Sequence, residues 1–271
     1  MKITRHADLS EISPTTDMKK ILFLCDIDNT LIWSYKHKRE GDVCVEILKE
    51  KEQGFTTPRT LELLKTVTAL ENVMTVPLTT RSVEQYTRIR FGDGAPENAL
   101  VTNGTLLLGN EKLDDEWWYG SLQSVSPLKD EIERMFRMLE HQNTFIRVRI
   151  VDEMYLFVYC AEGVDPMSTA ALLQGLTKLN VQCAGKKIYL FPPAADKGYA
   201  AKRMAERVGA DLVIAAGDSE IDIPMLESAD AAIVPHDERM TGKTYRRSEV
   251  CPDRKRFSEF VLETVLAIAK E

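Results

Sequence analysis

Residues 21–31 read Ile-Leu-Phe-Leu-Cys-Asp-Ile-Asp-Asn-Thr-Leu. Four apolar residues, Ile21 to Leu24, run into Cys25-Asp26-Ile27-Asp28-Asn29-Thr30. A continuous apolar run ended by polar residues predicts a strand buried on both faces, as in a parallel sheet covered by helices on either side. Its carboxylates then stand at the strand's C-terminal end, where open α/β sheets bind ligands. Asp26 and Asp28 are two apart, so in extended backbone both side chains point to one face. Two like charges that close repel and need a neutralising partner, most simply a divalent cation. The bland alternative is a strand end closed by Asp-Asn-Thr turn chemistry.

Two further apolar runs end in polar residues. Val73-Met74-Thr75-Val76-Pro77-Leu78 leads into Thr79-Thr80-Arg81. Pro77 cannot donate to a ladder, so it belongs near that strand's end. Leu212 to Ala216 leads into Gly217-Asp218-Ser219-Glu220-Ile221-Asp222, again with carboxylates at a strand's end. Between these two runs, Asp196-Lys197-Gly198-Tyr199-Ala200 opens a helix predicted through Val208. Lys197 sits in its first turn, where the helix already carries positive partial charge. A cation there makes sense if an anion shares the place.

Taken together, these stretches resemble the four motifs of the haloacid dehalogenase superfamily, mostly phosphotransferases. Asp26-Ile27-Asp28-Asn29-Thr30-Leu31 is similar to D-x-D-x-T-L. In that family the first Asp attacks phosphorus and the second is the general acid and base. Thr79-Thr80-Arg81 resembles the second motif, whose hydroxyl and following amide bind phosphoryl oxygens. Relatives with Thr-Gly-Arg map that contact to Thr79, but this chain has Thr80 where they have Gly, so Thr79 and Thr80 are both candidates. Asp196-Lys197-Gly198 resembles the third motif, whose Lys neutralises the nucleophile and the phosphoryl group. Gly217-Asp218 to Met225-Leu226 closely resembles G-D-x-x-x-D-x-x-M-L, which supplies metal ligands.

Composition sets bounds beside this. The 271 residues suffice for one large domain or two smaller ones. The formal net charge of −7 speaks against nucleic acid or an anionic membrane as partner. A local cationic site can still hold an anionic substrate. The five cysteines, Cys25, Cys44, Cys160, Cys183 and Cys251, are widely spaced with no C-x-x-C, which predicts reduced thiols in a cytoplasmic protein. No apolar run is long enough to span a membrane. Residues 1–20 read as a polar leader without the apolar core of a signal peptide.

Along the chain, Lys36 to Arg39 form a basic run, read as a solvated loop or helix face. Thr57-Pro58 opens a helix whose Leu61, Leu64 and Val67 share a face. Residues 83–90 look helical. Residues 99–108 read as two short strands around Asn103-Gly104. Residues 127–141 and 166–179 are predicted helices, with strands over 145–151, 154–160 and 188–191 between and after them. Trp117 is read as core or a partly buried edge. Strands and helices in that order predict an antiparallel sheet with helices on one face. Phe145 to Val151 alternates, with Arg147 and Arg149 on one side and Ile146, Val148 and Ile150 on the other.

The resemblance implies a doubly wound, Rossmann-like α/β core over residues 1–82 and 190–271, with an α+β cap inserted at 83–189. That insertion is similar to the caps of the Cof-type and sucrose-phosphate-phosphatase-like groups. It implies a Mg²⁺-dependent phosphomonoester hydrolase acting through an aspartyl-phosphate on a small phosphorylated metabolite, foremost a sugar phosphate. The implied catalytic residues are Asp26, Asp28, Thr79 and Lys197. Thr79, Thr80 and Lys197 would bind phosphate, and Asp26, Asp28, Asp218 and Asp222 the metal, Asp28 through its backbone carbonyl. A phosphomutase of the phosphomannomutase type and a non-enzymatic binding module on the same fold are the alternatives. A mutase must keep water from the aspartyl-phosphate and rebind a bisphosphate, and no residue marks that.

Overall fold

The computed structural model describes residues 18–271, so the expected leader lies outside the described residues except for its last three positions. The opening run forms β1 (Ile21–Cys25), buried throughout. The chain then turns sharply, with the Ile27 carbonyl accepting from the amides of Leu31 and Ile32 and Asn29 at φ 61°, a left-handed conformation that Asn tolerates.

The polar stretch that follows is more ordered than its composition suggests. β2 (Trp33–Ser34), β3 (Val43–Leu48) and β4 (Lys51–Thr56) form a small antiparallel sheet in the order β2-β4-β3. Its tip is Lys49-Glu50, with both residues at positive φ. The basic run lies in the link between β2 and β3, exposed to solvent. Next comes α1 (Pro58–Thr68), capped by the Thr57 hydroxyl, which accepts from the Thr60 amide. β5 (Val73–Pro77) pairs parallel with β1 and carries Pro77 as its last residue. The helix expected over 83–90 is only α2 (Val83–Tyr86). Beyond it Ile89 bridges back to Glu46 of β3, so pairing with the small sheet replaces further helical turns.

β6 (Asn98–Val101) and β7 (Leu106–Gly109) form the expected hairpin, extended by β8 (Lys112–Leu113). Then come α3 (Asp115–Val125), α4 (Lys129–Leu139), β9 (Phe145–Val151), β10 (Tyr155–Cys160) and α5 (Pro166–Gln174). α5 stops short of the predicted residue 179. Gly175 caps it, and the chain returns as an unforeseen strand, β11 (Asn180–Ala184), ahead of β12 (Lys187–Phe191). The chain closes with α6 (Lys197–Val208), β13 (Leu212–Ala216), α7 (Ile223–Ser228), β14 (Ala231–Val234), α8 (Glu238–Thr241), β15 (Ser248–Val250) and α9 (Phe257–Ile268).

The main sheet is parallel throughout, in the order β15-β14-β13-β1-β5. Phe23 and Ile214 pack with Leu64, Val261 and Val265 of α1 and α9 on one face. Leu22, Leu24 and Ala215 pack with Ala201, Met204 and Leu226 of α6 and α7 on the other. This is the doubly wound α/β core. The chain moves from β1 to β5 on one side and returns to β13 on the other. The order therefore reverses between β1 and β13, the place where such sheets open a crevice for ligands.

A second sheet, β11-β12-β10-β9, is antiparallel. Leu156, Val158, Ile188 and Leu190 pack with Ile132, Met135 and Leu139 of α4 and Leu173 of α5. The hairpin β6–β7 lies between the two units. Leu100 and Leu107 join the core cluster with Leu22 and Leu24, while Ala99, Val101, Leu106 and Leu108 join the cap's cluster. Trp117 of α3, fully buried, packs with the core. The hairpin and α3 therefore pack with both units. No described helix is long and apolar enough to cross a membrane, and all five cysteines are free thiols.

Candidate active site

The reversal point gathers the charged residues. Asp26 directly follows β1, and its amide donates to the Ala216 carbonyl at 2.9 Å. Lys197 opens α6, and its Nζ lies 2.6 Å from Oδ1 of Asp26 and 2.6 Å from Oδ1 of Asp222. Only 1% of Lys197 is exposed. The other oxygen of Asp222 accepts from the amides of Asp218 and Ser219 and from the Ser219 hydroxyl. That wrap is possible because residue 217 is Gly, where a Cβ would lie 2.4 Å from the Asp222 Cβ.

One ammonium faces three carboxylates here. Oxygens of Asp26, Asp218 and Asp222 lie within 4.8 Å of one another. Burial pushes Asp26 up to about 7 against the opposing pull of Lys197. Burial, then the charges of Asp222 and Asp26, push Asp218 up to about 8. The same carboxylates, against the cost of burial, hold Lys197 above its ordinary value. Such a group of hard oxygens with excess negative charge fits Mg²⁺. Asp26 and Asp218 are the better donors, since the carboxylate of Asp222 is already engaged at both oxygens. Thr30 reaches Asp218 from the turn after β1, its hydroxyl 3.4 Å from Oδ1.

Asp28 is held differently. Its side chain is not in that group, because Arg81 takes both oxygens, Nε and Nη2 each at 2.9 Å. Against the cost of burial, this guanidinium keeps the Asp28 carboxyl below its ordinary value. Arg81 also pairs with Glu46 at 2.9 Å, and Glu46 pairs with Arg88 at 3.2 Å. Glu46 is buried on β3. The small sheet thus braces the second motif from below, a role that its polar sequence did not announce.

The two threonines differ in surroundings. Thr79 is fully buried, its hydroxyl accepts from the Arg81 amide at 3.2 Å, and its backbone is tied on both sides to the hairpin at Leu100 and Asn103. Thr80 is partly exposed, lines the cavity described below, and accepts at its carbonyl from the Tyr155 hydroxyl at 2.6 Å. The cap is therefore bonded directly to the strand end that carries the hydroxyl pair.

Between cap and core lies a cavity of about 320 Å³, floored by Asp28 and Arg81 and roofed by Arg147, Arg149, Lys187 and Tyr189. Arg147 and Arg149 share this side as the alternation of β9 predicts. Val148 and Ile150 pack the other way, while Ile146 is 66% exposed at the strand's start. Lys187 was not foreseen. The only hint was a lysine at the head of an otherwise apolar strand. A larger hollow of about 670 Å³ opens near Ile21, Val73 and Ala210 at the opposite ends of the strands, away from the carboxylates.

Residues 153–234 match the family of haloacid dehalogenase-like hydrolases. No curated protein matches the chain. Among solved structures, a sucrose-phosphatase from Synechocystis, in complex with sucrose and phosphate, superposes with a TM-score of 0.64 at 18% identity, covering 92% of this chain and 98% of that one. A trehalose-6-phosphate phosphatase from Aspergillus fumigatus gives 0.56 at 15% identity, over 93% of this chain and 94% of that one. A phosphatase of the haloalkanoate superfamily from Bacteroides thetaiotaomicron gives 0.57 at 13% identity, over 94% of this chain and 98% of that one. At such identities the likeness is one of fold. The matched segment spans part of the cap and the fourth motif, so over residues 153–234 the chain is similar to the haloacid dehalogenase-like hydrolases, and its core sheet reverses at the carboxylates.

Proposed function

We propose that this hydrolase is a Mg²⁺-dependent phosphatase acting on a small phosphorylated metabolite, a sugar phosphate foremost, through an aspartyl-phosphate on Asp26. The observation that carries this is the buried ammonium of Lys197, set 2.6 Å from both Asp26 and Asp222 at the reversal point of the sheet. One cation among three carboxylates leaves the nucleophile ready to share its place with a divalent ion and a phosphoryl group. The sugar-phosphate phosphatases among the similar folds support the substrate class.

The residues divide the work as follows. An oxygen of Asp26 attacks phosphorus, and the ester P–O bond breaks as the new O–P bond forms. Asp28 gives a proton to the departing oxygen. Asp28 then takes a proton from water, whose oxygen attacks phosphorus and frees Asp26 and orthophosphate. Lys197 and the Thr79 hydroxyl hold the phosphoryl oxygens, with Thr80 at the cavity wall beside them. Asp26, Asp218 and the Asp28 carbonyl, supported by Asp222, would hold Mg²⁺, which would supply positive charge to offset that on the phosphoryl oxygens. In the conformation observed, Asp28 is ionised and both its oxygens are engaged by Arg81. That state suits the base. Acting as acid requires one oxygen to leave the Arg81 fork and take a proton.

The test is turnover of p-nitrophenyl phosphate with and without Mg²⁺, followed by acid quench during turnover and detection of phosphate bound to Asp26. Hydrolysis that needs Mg²⁺ and a trapped adduct are expected. Conversion of a hexose 1-phosphate to its 6-phosphate, with little phosphate release, would replace the phosphatase by a mutase.

A further inference from the structure

The cap sheet turns one face to the site, and its register sets out what that face carries. Arg147 lies opposite Tyr159, which lies opposite Lys187; in the next row Arg149 lies opposite Phe157, which lies opposite Tyr189. All six line the cavity. The intervening residues Val148, Ile150, Val158 and Ile188 point into the apolar cluster under α4 and α5. Three cations and three aromatic rings are thus collected on the one side of the cap that meets the core.

The cations of this cavity fall into two sets. Arg81 is engaged by Asp28 and Glu46, and Arg88 by Glu46 and Glu84. Among the described residues, Arg147, Arg149 and Lys187 form no ion pair. Arg149 reaches only the Gln85 amide oxygen, at 3.5 Å, and lies 5.3 Å from the Phe157 ring centre. Its Nε is buried with no acceptor. Arg147 and Arg149 lie two apart on one face of β9 and Lys187 lies on the same face beyond β10; like charges gathered on one face repel, and a buried donor without a partner is costly. Both costs vanish if an anion occupies the cavity.

The scissile phosphoryl group has its own partners on the core side, at Lys197 and the Thr79-Thr80 pair. The roof cations stand across the cavity, over Asp28 and Arg81. Rings set between them offer flat apolar surfaces to a sugar or similar backbone. Resting on the phosphatase reading above, we propose that the substrate carries a second anionic group, a carboxylate or another phosphate, remote from the scissile ester, and that Arg147, Arg149 and Lys187 bind it. The substrate class is then a phosphorylated sugar acid or a sugar bisphosphate, in preference to the monophosphate of a neutral sugar.

The experiment compares kcat/KM of the wild type, with Mg²⁺ at one ionic strength, on glucose 6-phosphate, 6-phosphogluconate and fructose 1,6-bisphosphate, with p-nitrophenyl phosphate alongside. At least a tenfold preference for one doubly anionic compound over glucose 6-phosphate is expected, and the compound preferred identifies carboxylate or phosphate. Arg147→Ala, Arg149→Gln and Lys187→Ala should each reduce that preference fivefold or more. Ratios within twofold of one across the panel, or equal losses on every substrate in the variants, overturn the proposal. Hydrolysis of p-nitrophenyl phosphate with no preference sinks this proposal and leaves the phosphatase standing. If no ester is hydrolysed, the phosphatase reading falls, and calorimetric titration of the same three metabolites decides the anion site: tenfold tighter binding of a doubly anionic compound, lost in Lys187→Ala, supports it, and equal binding overturns it.

Discussion

Arg81 closes a two-pronged hydrogen bond on Asp28, 2.9 Å to each oxygen, across 53 residues of sequence. The same guanidinium holds Glu46 at 2.9 Å. Arginine suits this place because its planar fork can serve a carboxylate with two donors and keep others for a second partner. The pairing sets both the direction and the charge state of Asp28.

Arg81→Ala should lower kcat/KM by about a hundredfold, the scale of a misaligned acid–base group. Arg81 favours the charged form of Asp28 and holds its pKa down. Without it the pKa rises, so the base form becomes available only at higher pH. Water attack on the aspartyl-phosphate needs that base form, so the acidic limb of the kcat profile should move upward in pH where this step limits turnover. Arg81→Lys, which keeps the charge but loses the fork, should fall between the two. An acidic limb that stays put in Arg81→Ala would detach Asp28 from the rate.

Asp26→Asn should abolish turnover while leaving the fold intact. The amide is nearly isosteric and far less nucleophilic, and Lys197 keeps its contact with Asp222. Loss of covalent catalysis costs several powers of ten, so less than about one part in a thousand of wild-type activity should remain. The check is steady-state turnover together with circular dichroism. Activity above about a tenth of wild type would remove Asp26 from the nucleophile's role.

The places of Asp26, Lys197 and Asp218 could be read from the chain because each adjoins an element with a strong local signature. Asp26 and Asp218 end unbroken apolar runs, and Lys197 opens a helix capped by Asp196. What stayed hidden depends on partners far apart in sequence. Glu46 sits in a stretch rich in charge, and its sheet turns at Lys49-Glu50 without Asn-Gly chemistry. Arg81 stood in the second motif, but nothing local says that it reaches back to Asp28. The hairpin β6–β7 is apolar on both faces, and such a pattern does not reveal which unit owns it. The helix predicted over 166–179 likewise runs past Gly175, where the chain leaves α5 and turns toward β11.

Mg²⁺ should stabilise the protein more at pH 8 than at pH 6. Asp26 and Asp218 are lifted to about 7 and about 8, whereas an unfolded aspartate titrates near 3.9. Between those values the folded chain holds protons that the unfolded chain has released. Stability of the metal-free protein therefore falls as pH rises through that window. A divalent ion at the same oxygens replaces the protons and removes the repulsion, so its benefit grows as they leave. Thermal melts at both pH values, with Mg²⁺ and with EDTA, measure this. A melting-point gain from Mg²⁺ that is the same at both would show that these carboxylates are not where the ion binds.

The hairpin β6–β7 holds α6 in place through Gly104 and its neighbour Asn103. Gly104 has φ 88°, and a Cβ there would lie 2.3 Å from the Ala200 Cβ of α6. Ala200 is one turn along from Lys197. The carbonyl of Gly104 also accepts from the buried Trp117 indole at 3.0 Å, and the neighbouring Asn103 amide nitrogen donates to the Ala195 carbonyl at 2.6 Å. Gly104→Ala must therefore adopt a left-handed conformation and push α6 away from the hairpin. The expected loss is about 2–4 kcal/mol, the sum of backbone strain and overpacking. Activity at a temperature where the variant is still folded should fall too, since displacing the start of α6 moves the Lys197 ammonium from Asp26. Ala200→Gly in the same chain relieves the contact but not the φ, so it should restore part of the stability and most of the activity. Denaturant unfolding and kcat at 20 °C, measured on both variants, check this. A single variant as stable as wild type would mean that the hairpin and α6 are free to part, and that Lys197 is held by its carboxylates alone.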